Sequence, residues 1–331
     1  MPTLQPHSAR DGAYRRPPAA FRNWITADGS PGPGGQGGFP AESGRYHLYV
    51  GLFCPWASRT LIARGLKGLE DHVSISIVEP RASLEGWRFG STGDRLYGSE
   101  RLADLYRLAQ PDYGGRATVP VLWDKKRRTI VSNESGDILR MFDQAFASVA
   151  GDAPALRPNR LAAQIDALNA WLDTGLNDGV YRAGFATAQA AYEEAVRQVF
   201  ATLDALEERL ADTRPYLFGG TLTESDVRLF VTLVRFDLVY HGLFKCNLKR
   251  LADYPGLEAY LHRLLAIPAF VRWVDPDNIR RGYYSMEALN PSGIVPLGPP
   301  DPPEIARRVD AAPAEARTAP VGEAEPVEEP A

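Results

Sequence analysis

The first half of this chain changes its hydrophobic period from segment to segment, and the second half keeps one period throughout. RYHLYVGL (45–52) is rich in β-branched and aromatic residues and reads as a strand. Pro55 through Leu66 reads as a helix with proline in its first turn. In VSISIV (73–78), Val73, Ile75 and Ile77 alternate with serines, the period of a half-buried strand. SERLADLYRLAQ (99–110) is helical. VPVLW (119–123) and TIVS (129–132) are strands around the charged turn DKKRR. NESGDILRMFDQAF (133–146) is a helix with Asn133 as its expected N-cap. The order β-α-β-α-β-β-α predicts a small sheet with helices packed on it.

From about residue 160 every pattern is helical. Leu161, Ile165, Leu168 and Leu172 share one helix face, and Val196, Phe200, Leu203, Leu206 and Leu210 repeat the spacing. Thr223-x-x-Asp226 before VRLFVTLVRF has the form of a capping box. PGLEAYLHRLLAIPAF (255–270) is one more helix, ending near Pro268. The fold class expected is therefore α/β plus all-α. An N-terminal extended, partly flexible segment (1–44) leads into a sheet domain (45–150). A helical domain (151–290) and a C-terminal extension (291–331) follow, with the hinge around GDAPALRPN (151–159).

Composition narrows the function classes. At 331 residues, two domains with sizeable cores are expected. Lys and Arg number 37 against 41 Asp and Glu, a net charge of −4, which argues against a nucleic-acid partner. No apolar stretch is long enough to span a bilayer. MPTLQPHSAR lacks the apolar core of a secretory signal, so a cytoplasmic location is expected. DGSPGPGGQGGFP (28–40) is mostly Gly and Pro and lacks the Lys-Ser/Thr of a phosphate-binding loop. From about residue 300 the chain is Pro, Ala and acidic charge, a composition expected to be disordered. There is no internal repeat. The five histidines do not cluster with cysteines at zinc spacings, so no metal is expected.

Only two cysteines occur, Cys54 and Cys246, which excludes a disulfide framework. Cys54 follows a strand and directly precedes Pro55 and a helix. There a thiol meets unpaired backbone N–H groups and the positive end of the helix dipole, both of which favour thiolate. The alternative is a small buried hydrophobe, since free cysteine is among the most buried residue types. In Cys54-Pro55-Trp56-Ala57 no second sulfur follows one turn later, so a mixed disulfide at Cys54 needs an external thiol to resolve it. Cys246, beside Lys245 and Asn247, reads as structural.

Two further features bear on ligand binding. Val119-Pro120 opens a strand. In trans it is an ordinary edge proline. In cis it turns the chain sharply and frees the Val119 N–H and C=O to pair with an extended peptide. Asn133-Glu134-Ser135 opens a helix, where backbone N–H groups suit a carboxylate, Ser135 offers a hydroxyl and Glu134 can meet an amine. Plain helix capping explains the same residues.

Together these residues resemble the thioredoxin-like N-terminal domain of a glutathione transferase, and the later helices resemble its all-α domain. The runs RYHLYVGLFCPWASRTLIARGLKGLE (45–70), LYGSERLADLYRLAQPDYGGRATVPVLWDKKRRTIVSNES (96–135), NDGVYRAGFATAQAAYEEAV (177–196) and YYSMEALNPSGIVPLGP (283–299), with FRNWI (21–25), are similar to the glutathionyl-hydroquinone reductases, the xi class of that family. Gly51 departs from the pattern, where serine is more frequent. The resemblance implies reduction of glutathionyl-hydroquinones to hydroquinones, with glutathione as co-substrate and a homodimer as the working unit.

It also implies site residues. Cys54 is the nucleophile. Trp87, Arg116, Ala117, Thr118, Val119, Glu134 and Ser135 contact glutathione. Tyr181 transfers a proton, and Tyr240 and Tyr283 line the substrate pocket near the thiol, with Tyr284 replacing Tyr283 if the alignment slips by one. Three alternatives share the fold. One is an omega-like thioltransferase or dehydroascorbate reductase using the same thiol. Another is a conventional transferase, which would carry Tyr or Ser at position 54. The third is a non-enzymatic ligand carrier with an unreactive Cys54.

Overall fold

The computed structural model describes residues 11–81, 86–90, 93–151 and 153–305. The sheet holds β1 (Tyr46–Val50), β2 (Val73–Ile77), β3 (Val121–Asp124) and β4 (Thr129–Ser132), in the order β2-β1-β3-β4. β1 pairs parallel with β2 (Tyr46 opposite Val73, Val50 opposite Ile77) and antiparallel with β3. β3 and β4 form an antiparallel pair with a bulge at Leu122/Trp123. The parallel pair needs a crossover, supplied by α1 (Pro55–Leu66). α2 (Leu102–Ala109), α3 (Ser135–Gln144) and the short α4 (Ala147–Ala150) complete the first layer.

The helical half holds α5 (Ala162–Leu172), α6 (Gly179–Gly184), α7 (Gln189–Leu210), α8 (Glu224–Arg235), α9 (Pro255–Leu265), α10 (Pro268–Val271) and α11 (Pro276–Tyr284). Two π turns interrupt it, Asp173–Asn177 between α5 and α6 and Phe236–Tyr240 after α8. Such single π turns recur at functional sites because they re-aim side chains. Thr223 and Asp226 form the expected capping box at the start of α8. The expected helix 255–270 breaks into α9 and α10. Pro268 supplies no N–H, and Ile267 before it is extended, as a residue preceding proline prefers.

Two other expectations about the sheet half are corrected. Asn133 does not cap α3. Glu134 does, accepting from the Gly136 amide at 3.1 Å. Asn133 instead accepts from the Phe21 amide and donates to the Tyr106 hydroxyl, tying the N-terminal segment to β4 and α2. In β2 the alternation holds only at its start, where Val73 is buried; further on Ile75 and Ile77 are half-buried and Ser76 is buried. The reason is His47 on β1, wholly buried, whose two ring nitrogens meet the hydroxyls of Ser74 (2.7 Å) and Ser76 (2.9 Å). Buried polar atoms persist when each finds a partner.

The extension also does more than lead in. Residues 11–44 pack into the molecule through Tyr14, Trp24, Ile25 and Phe39, all buried. Arg22 bridges Ser132 beside β4, and Gly12 accepts from Thr187 between α6 and α7. At the other end, residues 299–305 fall where disorder is expected, yet Arg280 binds the Pro299 carbonyl and Asp301, His262 binds Glu304, and Ile305 is buried. The acidic tail from 306 lies outside the described residues.

One apolar core runs from the sheet into the helices. The approach of α11 to the loop after β1 requires glycine at 282, where a Cβ would sit 2.4 Å from Phe53 Cβ. That approach brings Tyr283 to the sulfur-bearing loop.

Candidate active site

The loop Gly51–Phe53 carries the chain from β1 to Cys54, the residue that caps α1 with extended backbone (φ −81°, ψ 120°). Pro55 follows at the first helical position, where its missing N–H leaves nothing unpaired. Arg235, at the end of α8, holds this loop from behind. Its guanidinium is fully buried and donates to the carbonyls of Leu52 (2.9 Å) and Phe53 (2.9 Å), to Ser58 Oγ (2.8 Å) and to the Val231 carbonyl (2.8 Å). The Cys54 thiol is 7% exposed and points its S–H at the Val119 carbonyl, 3.6 Å away. The Val119–Pro120 bond is cis. Among the described residues the Val119 amide has no hydrogen-bond partner.

The charge on Cys54 differs from expectation. Burial pushes the thiol up, and the opposing influences, the N–H groups of Ala57 and Trp56 and the positive charges of Arg235 and Arg16, do not overcome it. The helix terminus acts in the expected direction but is outweighed in this closed arrangement.

Three tyrosines meet beside the thiol. The Tyr283 hydroxyl lies 2.6 Å from that of Tyr181 and 2.8 Å from that of Tyr240. Tyr181 stands on α6, Tyr240 ends the second π turn and Tyr283 is on α11. All three are buried, and burial raises each phenol, with the nearby Cys54 charge raising Tyr181 and Tyr240 further. Tyr284 is half-exposed, with its backbone carbonyl bound by Asn290, and is not part of this hydroxyl chain.

Of the other expected residues, Trp87 touches this loop directly. Trp87 stacks on Phe53 (centroids 4.4 Å, 28°). Thr118 is fixed by Tyr106, whose hydroxyl donates to the Thr118 carbonyl at 2.7 Å. Arg116 is half-buried, and its carbonyl accepts from the Tyr113 hydroxyl at 3.1 Å. Ala117 packs against the core. Glu134 and Ser135 form the N-terminus of α3, with Glu134 turned back onto the Gly136 amide. Cys246 is buried, forms no disulfide and donates its thiol to the Phe244 carbonyl at 3.9 Å, and burial raises it to about 12.

Sequence reasoning missed two charged residues. Arg235 announced itself only as a cation inside the apolar run VRLFVTLVRF. Arg16 carried no signal at all, since it lies in a segment read as an extension. It is held by Asp178 at 2.6 Å and lies over the rings of Trp56 (4.4 Å) and Tyr181 (4.7 Å). Arg59 covers Trp56 too, at 4.5 Å, so two cations attend the aromatic residue next to Cys54-Pro55.

The comparisons with known proteins fit this geometry. Residues 53–145 match the glutathione S-transferase N-terminal domain, and residues 189–263 match the C-terminal domain. The chain is 52% identical over 294 residues to glutathionyl-hydroquinone reductase YqjG of Escherichia coli, covering 87% of this chain and 89% of that one. The chain belongs to the xi class of the glutathione transferase family. It is also 46% identical to glutathionyl-hydroquinone reductase PcpF of Sphingobium chlorophenolicum, over 80% of this chain and 86% of that one. The glutathione-bound structure of YqjG superposes with a TM-score of 0.83 at 51% identity, covering 85% of this chain and 94% of that one. The glutathione-S-transferase Xi of Phanerochaete chrysosporium gives 0.83 at 45% identity, covering 90% and 96%. The architecture, a four-stranded sheet half followed by a helical half, is the one the class resemblance implies. No helix among the described residues is long and apolar enough to cross a membrane.

Proposed function

We propose that this xi-class chain reduces glutathionyl-hydroquinones to hydroquinones at Cys54, with glutathione as co-substrate. The observation that carries the reading is a lone buried thiol at a helix N-terminus facing three hydrogen-bonded phenols, with the other cysteine unbonded to it. Glutathione would lie along the cis-proline edge, where the Val119 amide is free to receive an extended peptide. The N-terminus of α3, with Ser135, suits a carboxylate, and Glu134 a ligand amine. Trp87, Arg116, Ala117 and Thr118 complete that wall.

The chemistry divides into two half-reactions. Cys54, as thiolate, attacks the glutathionyl sulfur, and an S–S bond forms as the bond from sulfur to the aromatic carbon breaks. The electron pair leaves with that carbon, which takes a proton. The phenol of Tyr181 supplies it, and Tyr283, itself hydrogen-bonded to Tyr240, stabilises the oxygen left behind. The ring is reduced by two electrons and the two sulfurs are oxidised. A second glutathione thiolate then attacks the mixed disulfide, and oxidised glutathione departs with the Cys54 thiol restored.

Intact mass measurement after mixing with one equivalent of a glutathionyl-benzohydroquinone tests this reading. One glutathione adduct is expected, absent from Cys54→Ala. Steady turnover by Cys54→Ala would refute it. Parallel rates on mixed-disulfide and dehydroascorbate substrates separate the omega-like alternative. We further infer a cytoplasmic homodimer, in keeping with the class resemblance and two cysteines that form no disulfide; sedimentation velocity tests the dimer.

A further inference from the structure

Outside the thiol site, a cavity of about 250 Å³ opens between the N-terminal segment and the first π turn. It is lined by Tyr14, Arg15, Arg16, Thr174, Asp178 and Arg182. Three guanidiniums line it against a single carboxylate. Two of them are matched: Arg15 pairs with Asp11 at 2.5 Å and Arg16 with Asp178 at 2.6 Å. Arg182 is not. It donates one N–H to the Thr174 carbonyl at 2.5 Å, has no acidic partner within ion-pair distance among the described residues, and keeps a buried Nε–H with no acceptor. An unmatched guanidinium in a recess favours an anion, and a planar carboxylate suits its fork.

The cavity adjoins the reaction site through shared residues. Arg16 forms its wall and also lies over Trp56 and Tyr181. Arg182 follows Tyr181 on α6. A group held here would thus hang from the part of the substrate that lies near Tyr181. We propose that this cavity is an anion subsite that receives a carboxylate carried by the aromatic part of the substrate, with Arg182 as its principal donor. This rests on the reading of the reaction given above and adds a preference for acidic aromatic substrates.

Two glutathionyl-hydroquinones, one with a ring-attached carboxylate and one neutral, decide the matter. The native chain is expected to favour the acidic one by about tenfold in kcat/KM, the scale of one charge-assisted hydrogen bond. Arg182→Gln should remove that preference through KM and leave the neutral substrate unchanged, and Arg182→Lys should restore most of it. Equal discrimination in the native chain and Arg182→Gln overturns the subsite. If neither thioether turns over, the reaction assignment fails. The subsite is then decided by equilibrium binding of a carboxylated hydroquinone, expected to weaken about tenfold in Arg182→Gln and unchanged if the proposal is wrong.

Discussion

The hydroxyls of Tyr181 and Tyr283 lie 2.6 Å apart, joining α6 to α11 over the sulfur-bearing loop, and Tyr240 extends the chain from the second π turn. Each phenol carries one proton, so the middle hydroxyl, that of Tyr283, donates to at most one of its neighbours. A proton given up by Tyr181 is then balanced by a hydrogen bond from Tyr283. Tyr181→Phe should lower kcat by roughly 100-fold, the common size of a general-acid contribution, with glutathione binding unchanged. Tyr283→Phe should lower it less and shift the alkaline limb of the pH–rate profile. Single-turnover rates across pH check both, and unchanged kcat in Tyr181→Phe removes that residue from the proton step.

Arg235 and Cys54 belong to different domains, and the guanidinium reaches the loop only through backbone carbonyls. Replacing it with methionine keeps the bulk and removes the donors and charge. The Leu52 and Phe53 carbonyls then lose their partner in a buried place, a loss of about 1–3 kcal/mol per unsatisfied group. Arg235→Met should therefore melt at lower temperature and also react more slowly at Cys54, because a cation that lowers the thiol is gone. Arg235→Lys keeps the charge and should recover part of the thiol reactivity. Equal alkylation rates in the native chain and Arg235→Met would limit Arg235 to a packing role.

Burial outweighs the helix terminus at Cys54 in the free chain, so its thiolate forms above the 9.0 of an ordinary thiol. Alkylation by iodoacetamide is therefore expected to rise with pH through the alkaline range. Arg16→Met removes another opposing charge and should move the midpoint higher still. Reaction at a pH-independent plateau near neutrality would show that the helix terminus prevails after all.

How much of this was legible beforehand depended on the range of the interaction. Cys54, its capping position and the succession of strands and helices along the chain follow from local neighbours, since period and proline placement are local signals, whereas the strand order within the sheet does not. Tyr181, Tyr240 and Tyr283 were nameable only through the class resemblance, because nothing in a tyrosine's flanking residues says which hydroxyls will meet. Burial opposes the helix terminus at Cys54, and that desolvation could not be read from flanking residues because it depends on what the fold packs around the sulfur. Arg16 escaped notice for the same reason: its partners Asp178, Trp56 and Tyr181 lie far along the chain.

His47 offers the cleanest pH test because it is buried between two serines rather than at the reacting sulfur. Burial lowers its pKa from 6.5 to about 3, with the charge of Lys125 acting in the same direction. In the unfolded chain the imidazole takes a proton below its ordinary value, while the folded chain resists until about pH 3. Between those limits the unfolded state binds more protons, so stability must fall as pH falls, by about 1.4 kcal/mol per pH unit from this residue. Above pH 7 both states hold a neutral ring and no slope remains. His47→Gln has no such titration. Urea unfolding of the native chain and His47→Gln at pH 7.5, 6 and 5 should therefore show a stability gap that shifts steadily toward the variant as acid is added, and a gap constant with pH would mean that the buried ring is protonated as readily as a free one.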